Sequence, residues 1–138
     1  MSNCEELISR ISEKDNVLGW MAVEMHSSAT QEMWYPAITA LFTLVEQTTK
    51  WATDSESEEK FFAVINLAKK LFLITEEEKG LLHQLRKTRN MYVHANFHSE
   101  ILVLDNLLYP INDSGTAETL YEYYSVPVLQ IILKLLGK

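Results

Sequence analysis

Apolar residues recur along this chain at the three- and four-residue spacing of amphipathic helices. Leu7, Ile8, Ile11, Leu18, Met21, Ala22 and Met25 mark one face of a helical segment from about Cys4 to Ser27. Asp15-Asn16 and Gly19 are the points at which that segment can divide in two. A short polar stretch, Ser27 to Glu32, follows. A second helix is predicted to start near Tyr35-Pro36, because proline suits a first helical turn. Its stripe is Ala37, Ile38, Leu41, Leu44 and Val45. The acid- and serine-rich segment Thr53 to Glu58 reads as a loop. Ser55 with Glu58 has the spacing of a capping box for a third helix ending near Leu73. Thr75 with Glu78 repeats that signal and opens a fourth helix reaching His94 to Phe97. Glu76 to Glu78 complement its dipole.

The downstream half is less regular. Ile101 to Tyr109 is apolar and ambiguous in period, and is read as a short helix. Asn112-Asp113-Ser114-Gly115 is a turn signal. The last helix, Ala117 to Leu136, is expected to bend or break at Pro127. No convincing strand alternation appears. The pattern predicts an all-α protein: one bundle of five to six helices, forming a single domain over residues 1–138.

Composition sharpens this in three ways. With 138 residues the chain is long enough for a core without disulfides or metal, and 4 Gly and 3 Pro suit long helices. The lone Cys4 makes no internal disulfide and fits a reducing compartment. Glu5 and Glu6 stand where a secretory signal would be basic. The longest apolar run, Val126 to Leu136, is too short to span a bilayer and contains Gln130 and Lys134. A cytoplasmic location with no membrane partner is therefore expected. The net charge of -7 argues against a general nucleic-acid coat, so any polyanion must dock on a local basic patch.

Such a patch exists. From Lys79 to Ser99 there is no Asp or Glu. On a helical wheel Leu81, Leu82, Leu85, Tyr92 and Val93 share one face, and His83, Lys87, Asn90 and His94 share the opposite one. Arg89 falls within the apolar stripe, where an unpaired charge costs several kcal/mol. Glu46, set among the apolar residues Leu41 to Val45, is the expected partner. Arg89 and His94 diverge by about 140° on an ideal helix. They converge if the guanidinium reaches outward along its stem, if the helix end is irregular, or if two subunits pool their copies. The last route is favoured here, combined with the first.

Plainer readings stand beside these. Arg89 serves equally as a buried ion pair that sets helix register. His94 suits a helix C-terminus. Asn90 fits a plain helix surface, Arg86 and Lys87 are solvated by default, and His83 and His98 are solvated or rim positions. Trp20, Trp34 and Trp51 are read as core or interface anchors, and Tyr121, Tyr123 and Tyr124 as packing of the last helix. The chain has no Cys/His zinc spacing and no phosphate-cradling glycine loop, and no metal or cofactor is expected. Glu56 and Glu59 have the first spacing of the acidic repeats in all-α pyrophosphohydrolases, but no Glu is followed by Asp three residues later.

The segment Leu85-Arg86-Lys87-Thr88-Arg89-Asn90-Met91-Tyr92-Val93-His94-Ala95 resembles the signature of HEPN domains (higher eukaryotes and prokaryotes nucleotide-binding). In that family an arginine, usually followed by Asn, Asp or His, precedes a histidine by four to six residues. Here these are Arg89, Asn90 and His94. The run Phe61 to Ile74, then Thr75 to Glu78, then Leu81 to Arg86, resembles the elements before the signature. Glu46 resembles an acidic residue kept by many members. The likeness spans roughly Tyr35 to Phe97.

The resemblance implies a helical bundle, usually a homodimer with the signature helices lining a shared cleft. Many members are metal-independent endoribonucleases of toxin–antitoxin, abortive-infection and RNA-processing systems; others bind nucleotides or proteins without catalysis. It further implies His94 as general acid/base, Arg89 on the scissile phosphate and Asn90 as an orienting group. Arg86, Lys87, His83 and His98 would contribute to substrate binding, and an antitoxin would be a protein partner. Some nuclease members carry a tyrosine two residues beyond the histidine, where this chain has Asn96.

Overall fold

A computed structural model describes residues 3–94 and 101–137; the side chains of Val93 and His94 lie outside that description, as do Asn96, Phe97 and His98. The element order is α1 (Asn3–Lys14), α2 (Asn16–Thr30), α3 (Trp34–Ala52), α4 (Phe61–Lys70), α5 (Glu76–His94), β1 (Ile101–Leu104), β2 (Leu107–Pro110) and α6 (Ser114–Leu136). The protein is mainly an all-α bundle. Helices α1, α2, α3 and α6 pack in a ring, each against its two neighbours. The α4–α5 hairpin leans chiefly on α3.

The expected division of the first segment falls at Asp15, not at Gly19. Asp15 is extended and its carboxylate accepts from the Leu18 backbone N–H at 2.9 Å, a helix-starting cap. Gly19 lies inside α2 for a packing reason. A Cβ there would stand 2.5 Å from Ser12 Cα on α1, closer than atoms can approach. Gly19→Ala should therefore destabilise the fold by about 2 kcal/mol in urea unfolding, an overpacking cost. Ser12→Gly should not rescue it, because the clashing Cα remains. The Ser27 to Glu32 stretch is mostly helical, since α2 runs on to Thr30.

Helix α3 supplies the centre, with Ile38, Leu41, Leu44 and Val45 essentially inaccessible. The capping box at Thr75 is present in both directions: Glu78 N–H donates to Thr75 Oγ1, and Thr75 N–H donates to Glu78 Oε1. The one expected at Ser55 is not. Ser55 Oγ bonds Thr53 Oγ1 instead, and α4 starts only at Phe61, with no side-chain cap on Lys60. The loop residue Ser57 offers its carbonyl to Lys50, which holds the 53–60 segment against α3.

Further expectations are corrected. Ile101 to Tyr109 is not a helix. It forms an antiparallel hairpin with Leu102 opposite Tyr109 and Val103 opposite Leu108. Its two-residue connection, Asp105-Asn106, has φ of 50° and 65°, which matches the twist of paired strands. Leu102 and Leu104 face the core. Asp113 caps α6 instead of belonging to a free turn, and α6 is continuous through Pro127. Trp20 and Trp51 are not core anchors, at 61% and 52% exposure. Trp34 is half-buried and packs near Tyr121, while Tyr121 and Tyr124 are buried in α6 as expected. Among the described residues no helix is long and apolar enough to cross a membrane.

Candidate functional site

The α5 helix carries the charged residues, and α3 and α4 determine where they point. Arg89 Nη1 donates to Glu46 Oε1 across the α3–α5 contact, the partner expected from the sequence. Its Nη2 donates to Asn90 Oδ1 at 3.1 Å. Its Cζ lies 5.8 Å from the Phe61 ring centroid, in cation–π range. Glu46 also takes a second cation: Lys50, one turn further along α3, sits 3.0 Å from Oε2. The side chain of Lys50 is only 10% exposed, and its ammonium donates to the Ser57 carbonyl at 2.7 Å. One carboxylate thus neutralises two cations, and a loop carbonyl satisfies part of the second. This leaves the Arg89 guanidinium turned toward Asn90, on the solvent side of α5, with a side-chain exposure of 27%.

Asn90 and His94 are four residues apart, so regular helical geometry puts them on one face. Two residues before His94, Tyr92 pins α5 against α3. Tyr92 is buried, with Tyr35 and Phe42 of α3 at ring-centroid distances of 5.9 and 6.1 Å. Burial, helped by the neighbouring Tyr35, pushes the Tyr92 hydroxyl up to about 12, so it stays protonated at neutral pH. Helix α5 is described as far as His94. His98, named as a substrate-binding candidate, lies outside the described residues.

A second group forms one turn earlier. Arg86 Nε donates to His83 Nδ1 at 3.3 Å, which puts the proton of the neutral ring on Nε2. Nε2 then donates to Asn66 Oδ1 on α4 at 2.9 Å. The Arg86 guanidinium lies over the Phe62 ring, 5.0 Å from its centroid, and His83 flanks the same ring at 5.2 Å. His83 is therefore tied into an ordered cluster, not simply solvated. Desolvation pulls its pKa below the ordinary 6.5, and the positive charges of Arg86, Lys79 and Lys87 act the same way. Unfolded chains take up a proton first as pH falls below about 6.5, so the neutral ring's contribution to stability is lost in that direction. Proton titration by NMR should place the His83 midpoint below that of free histidine; a midpoint at or above 6.5 would contradict the cluster. Lys87 is exposed and acts on this group only through its charge.

Sequence reasoning did not single out Lys50, Phe62 or Asn66, and it gave Phe61 no part in the site. The i,i+4 spacing of Glu46 and Lys50 was a usable signal for the first. The others sit on α4, whose rotation against α5 no local pattern specifies. Among the described residues no group of three or more His, Cys, Asp or Glu side chains is placed to hold a metal ion. Comparison with family models, with curated proteins and with solved structures finds no match.

Proposed function

We propose that this protein is a metal-independent endoribonuclease of the HEPN type, a toxin or RNA-processing component working as a cytoplasmic homodimer. The observation that carries the reading is the state of Arg89. Glu46 holds its guanidinium at the edge of the core and directs it to Asn90, one helical turn from His94 on the same face. In this mechanism His94 takes the proton of a ribose 2′-hydroxyl as that oxygen attacks the adjacent phosphorus. Arg89 pairs with the phosphate oxygens and stabilises the charge that builds on them. The P–O5′ bond breaks, the leaving 5′-oxygen takes up a proton, and a 2′,3′-cyclic phosphate remains. His94 of the second copy would lie in the same shared cleft, and an antitoxin would bind over it.

The test is incubation of wild type and His94→Ala with mixed RNA in chelator. Cyclic-phosphate ends produced by wild type alone support the enzyme. Absence of cleavage by wild type across varied RNAs removes it.

A second reading rests on the same contacts. Glu46 and Asn90 already engage the Arg89 guanidinium, and Asn96 stands where some nucleases have tyrosine. These favour a non-catalytic module that binds a nucleotide or protein. Nucleotide binding without cleavage is its signature.

A further inference from the structure

Helix α4 and the part of α5 beyond its first turn are electrostatically unlike the rest of the molecule. Neither Phe61–Lys70 nor the stretch from Lys79 to His94 contains a carboxylate. Six of the chain's twelve Lys and Arg residues lie in these two stretches: Lys69, Lys70, Lys79, Arg86, Lys87 and Arg89. Screening confines the influence of acids elsewhere to about 10 Å. A polyanion therefore meets a run of cations here, bordered by Glu58 and Glu59 before α4 and by Glu76 to Glu78 in the first turn of α5.

On this face one arginine is prepared in advance. Arg86 is fixed from two sides, by the Phe62 ring beneath its guanidinium and by His83 on its Nε. His83 is in turn anchored by Asn66. Among the described residues the two terminal nitrogens of Arg86 make no hydrogen bond, so the fork is aimed without being occupied. A guanidinium held in this way loses little rotamer freedom on meeting a phosphate. Phe62 remains 53% exposed despite its two neighbours. Its ring offers a surface on which an unstacked base can lie. His83, Arg86 and Asn90 follow one another at helical spacings of three and four residues, and His94 continues the row. A strand engaged at Arg89 and running along α5 toward its start would meet this group.

We infer that Phe62, Arg86, His83 and Asn66 form a subsite for single-stranded RNA, in which Arg86 binds a backbone phosphate and Phe62 stacks a neighbouring base. His83 and Asn66 are positioning residues that hold the guanidinium on the ring. The subsite rests on the ribonuclease reading given above and supplies its substrate grip: unpaired RNA, since a base buried in a duplex cannot reach the ring.

Steady-state cleavage of a fluorescent single-stranded RNA tests it, with Phe62→Ala, Arg86→Gln and the control Lys14→Gln on α1. Each of the first two variants should raise KM about tenfold with kcat within twofold of wild type. The double variant should fall well short of the product of the two, because ring and guanidinium act as one unit. Lys14→Gln should change neither constant. Circular dichroism checks folding, and the exposed position of Phe62 makes loss of the fold avoidable. An unchanged KM in both folded variants overturns the subsite and leaves the nuclease standing. Wild type that neither cuts nor binds RNA overturns the nuclease reading, and the subsite falls with it.

Discussion

Replacing Glu46 with alanine is expected to destabilise the protein by about 3 kcal/mol, read as a lower urea midpoint at neutral pH. The size follows from what the carboxylate serves. It pairs with Arg89 from α5 and with Lys50 on its own helix, at side-chain exposures of 27% and 10%. Removing it leaves two cations stranded. Breaking a buried pair costs roughly 3–5 kcal/mol, and the partial access of water to Arg89 argues for the lower end. Glu46→Gln keeps the volume and one acceptor oxygen but loses the charge, so about half the effect is expected. Arg89→Ala should cost less than Glu46→Ala, because Lys50 then keeps its partner. A Glu46→Ala midpoint indistinguishable from wild type would mean that α5 is held on α3 by packing alone. The same substitution frees the Arg89 guanidinium from its set direction, so under the proposed nuclease reading a loss of RNA cleavage should accompany the loss of stability.

Under the proposed nuclease reading, His94→Ala is expected to lower RNA cleavage by about 10²–10⁴-fold, the range usual for removal of a general acid/base. The comparison holds only between folded variants, so the urea midpoint is measured alongside. Arg89 is the poorer probe, because its removal mixes catalysis with the ion pair to Glu46. Arg89→Lys separates the two. It keeps a positive charge for Glu46 but loses the planar fork that grips a phosphate through two parallel hydrogen bonds. Cleavage should fall by about 10²-fold or more while most stability remains. A His94→Ala variant that still generates cyclic-phosphate ends at the wild-type rate removes this histidine from the reaction.

Much of this architecture could be read along the chain, wherever the physics is local. The capping box at Thr75 and Glu78 depends on a spacing of three residues, and it is present as expected. The same signal misled at Ser55 and Glu58, where the buried Lys50 claims the loop and Ser55 bonds Thr53. The hairpin at residues 101–110 was missed because apolar residues on both sides of the turn hide a strand's alternation. The overlooked signal was Asp105-Asn106, two residue types that tolerate positive φ. The exposed Trp20 and Trp51 show the converse, since hydrophobicity alone does not say which face of a helix meets a neighbour.

The candidate site divides along the same line. The order of residues along α5 places Asn90 with His94 and embeds Arg89 in an apolar stripe, because 3.6 residues per turn is a property of the backbone alone. The need of Arg89 for a carboxylate follows from the cost of burying charge, and Glu46 was legible as that carboxylate from its own apolar surroundings. The remaining contacts came from the way the helices assemble. That Lys50 shares Glu46, that Phe61 lies beneath Arg89, and that Phe62 and Asn66 lock Arg86 and His83 all depend on the rotation and depth of α4 against α3 and α5. Those are properties of side-chain packing across distant segments, and no periodicity within one helix contains them.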